Sequence, residues 1–408
     1  MIRQSLEKSV SFSKCLLIEK YQEQIYMAGS KVLVLGGGFG GVQAAITARA
    51  ALDSTHEVTI VDQHRVTHLC GMNPLLIVGE QDANKTGRSL GRLSNRGVKF
   101  MEAHVNSINT QDQKVITSVE TLDYDYLVIA LGANYDWNAV PGSKDAYSFY
   151  DFDYARRLRR RLSRLKRGKI VLAAAKPPYK CPPAPFETAM MLNWWARKKG
   201  IRKNIEISVY IPEPGPLGVA GKEASKRVRN ALGQRGIELV TEAGVVEVSP
   251  NGREASFADG SSTFADVIST IPVHKIPDVV ADSGISKGKP WVPVNSKTLE
   301  TSITNIFAIG DVNVIPSGEF AIPKAGVFAS GQGKKVGEII ASQINQSDTP
   351  DPYDGVGLCY LSYSGGRSAT VGGKFLTGSG PETTLSDPTA SGKKHKDRFE
   401  RDWRNFKI

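Results

Sequence analysis

Short apolar runs alternate with longer amphipathic stretches along this chain. Lys31-Val-Leu-Val-Leu35 and Glu57-Val-Thr-Ile-Val61 are too short and too evenly apolar for helices, and they predict strands buried on both faces. Val42 to Ala51, between them, predicts a helix. The same beat returns later, with strands over 168–175 and 205–211, helices over 186–199 and 221–235, and a closing strand at Asp266 to Ile271. Residues 356–376 predict a hairpin turning at Gly365-Gly366, and Thr377 to Ser391, rich in Gly, Ser, Thr and Pro, predicts a linker. The pattern is that of an α/β protein with two Rossmann-like domains, a small C-terminal hairpin and an amphipathic tail. We expect an N-terminal extension at 1–29, a split dinucleotide domain at 30–135 and 295–355, a second Rossmann-like domain inserted at 136–294, and the hairpin, linker and tail at 356–408.

The first strand runs directly into Gly36-Gly-Gly-Phe-Gly-Gly41 and then into the helix. Strand, glycine turn and helix in that order make a phosphate cradle: Gly36 permits the tight turn, Gly38 lets a pyrophosphate reach the helix N-terminus, and Gly41 permits close packing. Phe39 and Gly40 complete the turn. Asp62 ends the next strand 21 positions beyond Gly41, close to the ~20-residue spacing of an acid that holds ribose hydroxyls. The second domain lacks such a turn. Lys176, Pro177, Pro178 and Tyr179 stand where glycines would be needed, so a nicotinamide dinucleotide is not expected there.

Tyr124-Asp-Tyr-Leu-Val-Ile-Ala-Leu-Gly-Ala133 and Thr304-Asn-Ile-Phe-Ala-Ile-Gly-Asp311 resemble signatures of the flavoproteins with two dinucleotide domains, a group that includes glutathione reductase and type II NADH dehydrogenases. The resemblance implies FAD as cofactor, with Ala130, Gly132 and Gly310 beside it and Asp311 on its ribityl chain. An N-cap role for Asp311 fits the same position.

The helix after the first glycine turn carries no cysteine, unlike that of glutathione reductase. Instead Cys181-Pro-Pro-Ala-Pro-Phe-Glu187, Pro212-Glu-Pro-Gly-Pro-Leu-Gly-Val219, Ile322-Pro-Lys-Ala-Gly326 and Leu358-Cys359-Tyr360 resemble the sulfide:quinone oxidoreductases and the flavoprotein subunit of flavocytochrome c sulfide dehydrogenase. That resemblance implies a redox disulfide between Cys181 and Cys359 beside the flavin, opened by sulfide to give a persulfide and ultimately polysulfide sulfur. It also implies a proton-handling Glu187 and a Lys324 that steadies the reduced ring. A first-turn helix carboxylate is an equal reading of Glu187. Cys70, in His68-Leu-Cys-Gly-Met-Asn-Pro74, reads as structural.

Four cysteines and no CxxC pair leave no disulfide scaffold and no metal site. With 52 basic against 41 acidic residues the chain carries +11, which favours anionic partners, yet no nucleic-acid motif accompanies the charge and none is expected to bind. No apolar run spans a bilayer, and the first thirty residues lack a secretory signal. In Lys393 to Ile408, Phe399, Trp403 and Phe406 share one helical face among Arg398, Arg401, Arg404 and Lys407. This predicts a membrane-contact helix, placing the enzyme peripherally on the cell membrane with quinone as acceptor; a helix packed on the body or on a second copy in a homo-oligomer fits the pattern as well. Cytochrome c as acceptor, or a flavin-binding sensor or assembly protein without sulfide turnover, are the alternatives.

Overall fold

The computed structural model describes residues 29–407, so the expected extension lies outside the described residues except for Gly29. In chain order the principal elements are β1 (Lys31–Leu35), α1 (Phe39–Ala51), β2 (Glu57–Asp62), β3 (Lys99–Glu102), β4 (Tyr126–Ile129), β5 (Gly168–Ala174) and α2 (Ala184–Lys198). There follow β6 (Ile205–Tyr210), α3 (Gly221–Gly233), β7 (Glu238–Val240), β8 (Val267–Ile271), β9 (Ile306–Ala308), α4 (Gly326–Ile344), β10 (Val356–Ser364), β11 (Arg367–Lys374), β12 (Glu382–Leu385) and α5 (Ala390–Arg404).

Two parallel sheets carry the fold. The first has the order β9-β4-β1-β2-β3 and the second β7-β6-β5-β8. Read from the β3 and β7 edges, each sheet runs third, second, first and then fourth strand, the doubly wound sequence whose reversal leaves a crevice at the carboxyl ends of the strands. The crevices open after β1 and after β5, where the glycine turn and the cysteine loop lie. Apolar side chains line both faces of each sheet, as parallel strands require, so β1 buries all of Val32 to Leu35.

β10 and β11 form the expected hairpin. The expected linker is different: residues 382–385 of it are a third strand, β12, paired antiparallel to β11. Its polar composition suits a strand that keeps most side chains in water and buries Leu385 alone. Ser368 and Thr389 then exchange backbone hydrogen bonds at 3.1 and 3.0 Å, and the Thr389 hydroxyl caps α5 by accepting from the Gly392 amide at 2.8 Å.

The anchored helix does not face outward, which corrects the membrane-contact reading of residues 393–408. Trp403 is 1% exposed and Phe406 4%. Phe39 stacks near Phe399 and Trp403, each at 5.9 Å, and the Arg88 guanidinium lies 4.3 Å from the Trp403 ring and 4.8 Å from that of Phe406. Aromatics that would have entered lipid are spent on the protein body, with a protein cation in place of the headgroup. Among the described residues no helix is long and apolar enough to cross a membrane.

Candidate active site

The cradle after β1 is set by backbone crowding. Gly36 has φ +105°, and a Cβ there would sit 2.3 Å from the Ala130 carbonyl oxygen; one on Gly41 would sit 1.9 Å from the Gly36 oxygen. Gly38 is the opposite case, with nothing within 4 Å of the same construction, so it leaves open space at the N-terminus of α1. Unpaired amides and open space together seat a pyrophosphate. Asp62 braces the turn, accepting from the Gly37 amide at 2.7 Å and the His64 amide at 2.8 Å. It opens onto a cavity of about 580 Å³ that also touches Gly36, Gly38, Ala130 and Gly132. These residues fit the adenosine and pyrophosphate end of FAD.

A second cavity, of about 240 Å³, continues from Gly38, Phe39 and Gly40 to Gly310 and Asp311 at the end of β9. The Gly310 amide donates to Gln332 Oε1 at 2.7 Å, which turns the chain so that Asp311 reaches the cavity. Burial pushes the Asp311 carboxyl up, although Lys324 and Lys180 pull it back. Lys324 is 8% exposed; its Nζ donates to the carbonyls of Asp311 at 2.6 Å and Asn313 at 3.0 Å and lies 3.4 Å from the Trp291 ring centroid. Burial lowers this ammonium to about 8, with Asp311 opposing. The carboxylate and the cation thus face one space, a polyol acceptor beside a site for negative charge.

The Cys181 thiol enters from the second sheet. After β5 the chain passes Pro177 and Pro178 and reaches Cys181, whose φ is +53°, a left-handed conformation that a non-glycine residue adopts only when its surroundings enforce it. Enforcement is visible: the Cys181 amide donates to the Lys324 carbonyl at 2.6 Å, and its own carbonyl accepts from the Ala184 amide at 2.9 Å. Cys359, on β10, lines the same cavity, and so does Cys70. All three are free thiols. Burial pushes Cys181 well up, reinforced by Cys70, Cys359 and Glu187 and opposed by Lys396; burial, with Glu187, pushes Cys359 up to about 12.

Glu187 is in the first turn of α2, 3% exposed, where the sequence placed it. Its partner was missed. Lys396 of α5, 4% exposed, forms an ion pair with Glu187 and donates to the Ser362 hydroxyl at 3.0 Å. The signal was in the chain, since Lys396, Phe399, Glu400 and Trp403 fall at i, i+3, i+4 and i+7 and share a face with the buried aromatics.

Every sequence-predicted site residue except Gly41, which packs against the Gly36 carbonyl, therefore borders one of two adjoining cavities, and Cys70, Lys180 and Lys396 join them. The family model for pyridine nucleotide-disulphide oxidoreductases matches residues 30–172 and 187–333. The unmatched stretch between is the loop of Cys181. Among curated relatives, a sulfide-quinone reductase of Aquifex aeolicus is 27% identical over 339 residues, covering 79% of this chain and 78% of its own. A mitochondrial sulfide:quinone oxidoreductase of Mus musculus is 24% identical over 305 residues, covering 71% and 67%. The crystal structure of the Aquifex aeolicus sulfide:quinone oxidoreductase superposes with a TM-score of 0.82 at 22% identity, over 93% of this chain and 92% of that one. With the cradle, the Asp311 carboxylate and the thiols on one continuous cleft, the chain belongs to the pyridine nucleotide-disulphide oxidoreductase family and is a FAD-dependent oxidoreductase.

Proposed function

We propose that this enzyme oxidises sulfide at Cys181 and Cys359 and delivers the electrons to a membrane quinone. One observation carries the reading: two cysteines 178 positions apart in sequence border the same small cavity as Asp311 and Lys324. FAD supplies the two-electron acceptor when bound there, held by the Gly36–Gly41 turn, Asp62 and Asp311. In the oxidised enzyme the two thiols form a disulfide. Hydrosulfide attacks the Cys181 sulfur, the S–S bond breaks, a persulfide forms on Cys181, and Cys359 leaves as a thiolate with the bonding pair on the flavin side. Glu187 takes the proton that sulfide sheds, and Lys324 offers its charge where negative charge collects. A second hydrosulfide takes the outer sulfur of the persulfide, leaving as HSS⁻ and leaving Cys181 reduced; the next round requires the Cys181–Cys359 bridge to re-form by loss of two protons and two electrons, which FAD would accept, and HSS⁻ attacking in place of hydrosulfide lengthens the product into polysulfide.

The second sheet does not offer the alternative of NADH. Lys176 and the two prolines occupy the turn after β5, so no glycine seat receives a second pyrophosphate. Because the aromatic face of α5 is consumed by packing, a peripheral contact with the cell membrane would use another surface. The deciding experiment is anaerobic. Sulfide should bleach the bound flavin, and decylubiquinone, rather than cytochrome c, should restore its colour; Cys181→Ser should abolish the bleaching. Reoxidation by cytochrome c alone would make this a sulfide dehydrogenase flavoprotein, and a flavin that sulfide leaves untouched would remove sulfide chemistry altogether.

A further inference from the structure

Three charged side chains are enclosed between the terminal helix and the thiol cavity. Lys396 and Glu187 are ion-paired, and Glu400, 6% exposed, borders the same cavity with its Oε1 lacking any partner. Two carboxylates and one ammonium sum to −1 if all are ionised, a poor state for an enclosed site. Burial raises the Glu400 carboxyl, with Lys396 and Lys393 opposing. Burial also works against the Lys396 charge, but Glu187 and Glu400 outweigh it and hold the ammonium above its usual range. The ion pair occupies one carboxyl group, and Glu400, raised by burial and without a partner at Oε1, is the one placed to hold a proton.

The groups around Lys396 come from several elements. Glu187 faces it from α2 and Ser362 from β10; Cys181, Cys359 and Cys70 line the same cavity, and Cys181 is within reach of the charges of both Glu187 and Lys396. On its own helix stand Glu400 and the ion pair of Lys393 with Asp397, whose side chains are 18% and 46% exposed. Titrating groups thus lead from an enclosed thiol to the water-facing side of α5.

We propose that the terminal helix provides the proton route of the thiol cavity, with Lys396 as a positioning residue that holds the Glu187 carboxylate beside Cys181 and Glu400 passing protons to solvent. This rests on the sulfide reading only in assuming that the reduced Cys181 gives up its thiol proton each time its bridge to Cys359 re-forms. The step moves protons and no electrons. The S–H bond of Cys181 breaks, an O–H bond forms on Glu187, Glu400 gives its proton to water near Asp397, and Glu187 is reset through Lys396 to Glu400.

The test uses the FAD-loaded full chain and reads the thiol directly. With the Cys181–Cys359 bridge first opened anaerobically by dithiothreitol and the reductant removed, iodoacetamide alkylation of Cys181, followed by mass spectrometry of its peptide across a pH series, requires neither sulfide nor quinone. Lys396→Met removes the cation that favours the thiolate, and the alkylation midpoint should rise by about one pH unit, making alkylation about tenfold slower below it. Lys396→Arg should restore the midpoint. Glu400→Gln keeps the shape and cannot carry a proton; it should leave the midpoint in place and lower kcat about tenfold or more at unchanged KM. An unmoved midpoint in a folded Lys396→Met protein overturns the positioning role, and wild-type kcat in Glu400→Gln overturns the route even if Lys396→Met does not fold. A moved midpoint in an enzyme whose flavin sulfide fails to bleach keeps the proton route and discards the substrate.

Discussion

Replacing Trp403 by alanine should release the terminal helix while leaving the rest of the molecule folded. The side chain is 1% exposed, packed with Leu69 and Met72, and lies beneath the Arg88 guanidinium. Removing a buried tryptophan costs about 3–5 kcal/mol, and the lost cation–π contact about 0.5–2 kcal/mol within or beyond that. A helix at the end of the described chain can meet such a loss by undocking alone, because neither parallel sheet depends on it for a strand. Arg88 favours the same outcome. Its Nη1 donates to the Trp403 carbonyl at 2.9 Å and its Nη2 to the Gly38 carbonyl at 3.1 Å, and burial lowers its guanidinium to about 9, so water admitted by undocking stabilises its charge. A loss near 3 kcal/mol corresponds to roughly a hundredfold change in the docking equilibrium. Hydrogen exchange read by mass spectrometry should show amides 394–404 exchanging about a hundred times faster in Trp403→Ala, with β1 and β5 unchanged. The same amides in the wild-type protein should keep their protection when anionic liposomes are added. Unaltered exchange in the variant would refute the docking energetics, and liposome-induced loss of protection would restore the helix to the membrane.

Gly41→Ala should yield colourless, poorly folded protein, since its methyl group would meet the Gly36 carbonyl at 1.9 Å; a yellow, stable variant would contradict the cradle. NADH should leave the flavin oxidised under conditions where sulfide bleaches it, and rapid bleaching by NADH would show that the loop at 176–179 does seat a dinucleotide. Cys359→Ser should retain FAD but lose sulfide-driven bleaching, as should Cys181→Ser; persistence in either would separate these thiols from the chemistry. Lys324 has a folded pKa of about 8 against 10.5 unfolded, so its protonated form opposes folding of the apoprotein most strongly below pH 8, and that opposition fades between the two values as pH rises. The difference corresponds to about 3 kcal/mol at most. Lys324→Met should therefore raise the apoprotein's Tm at neutral pH while making the flavin harder to reduce, measured as a more negative midpoint potential; a lower Tm with an unchanged potential would assign the residue a packing role instead.

Features of the fold that depend on residue type alone were legible in the sequence. Gly36 and Gly41 stand where a Cβ would strike backbone, and no other residue could substitute, so the turn announces itself. The parallel strands announce themselves similarly, because burial on both faces leaves mostly apolar positions with only small hydroxyls such as Thr59 and Ser208 among them. Polar strand β12 was not legible. Its stability comes from backbone pairing with β11 and one apolar contact at Leu385, and neither leaves a compositional trace distinct from a linker. Cys70 was likewise opaque, since nothing around it in sequence indicates that the loop after β2 folds back toward Cys181.

The terminal helix shows why one pattern admits two partners, lipid and the protein body, between which the sequence does not choose. Aromatics on one face ringed by cations suit a lipid interface because rings enter an apolar layer and cations meet anions at its edge. The same rings suit a protein groove that supplies Phe39 on one side and a buried Arg88 on the other. Position 396 separates the two. An anchor would keep a lysine at the water-facing edge of the apolar stripe, whereas here Lys396 lies within that stripe and is paired with Glu187 from a helix some two hundred residues away. A lysine amid buried aromatics costs too much to persist without a carboxylate waiting for it, and the carboxylate that waits borders the same cavity as Cys181 and Cys359. On the proposed proton route, docking of the helix and protonation of the site are one event: the stripe that holds α5 on the body also carries the ammonium paired with Glu187.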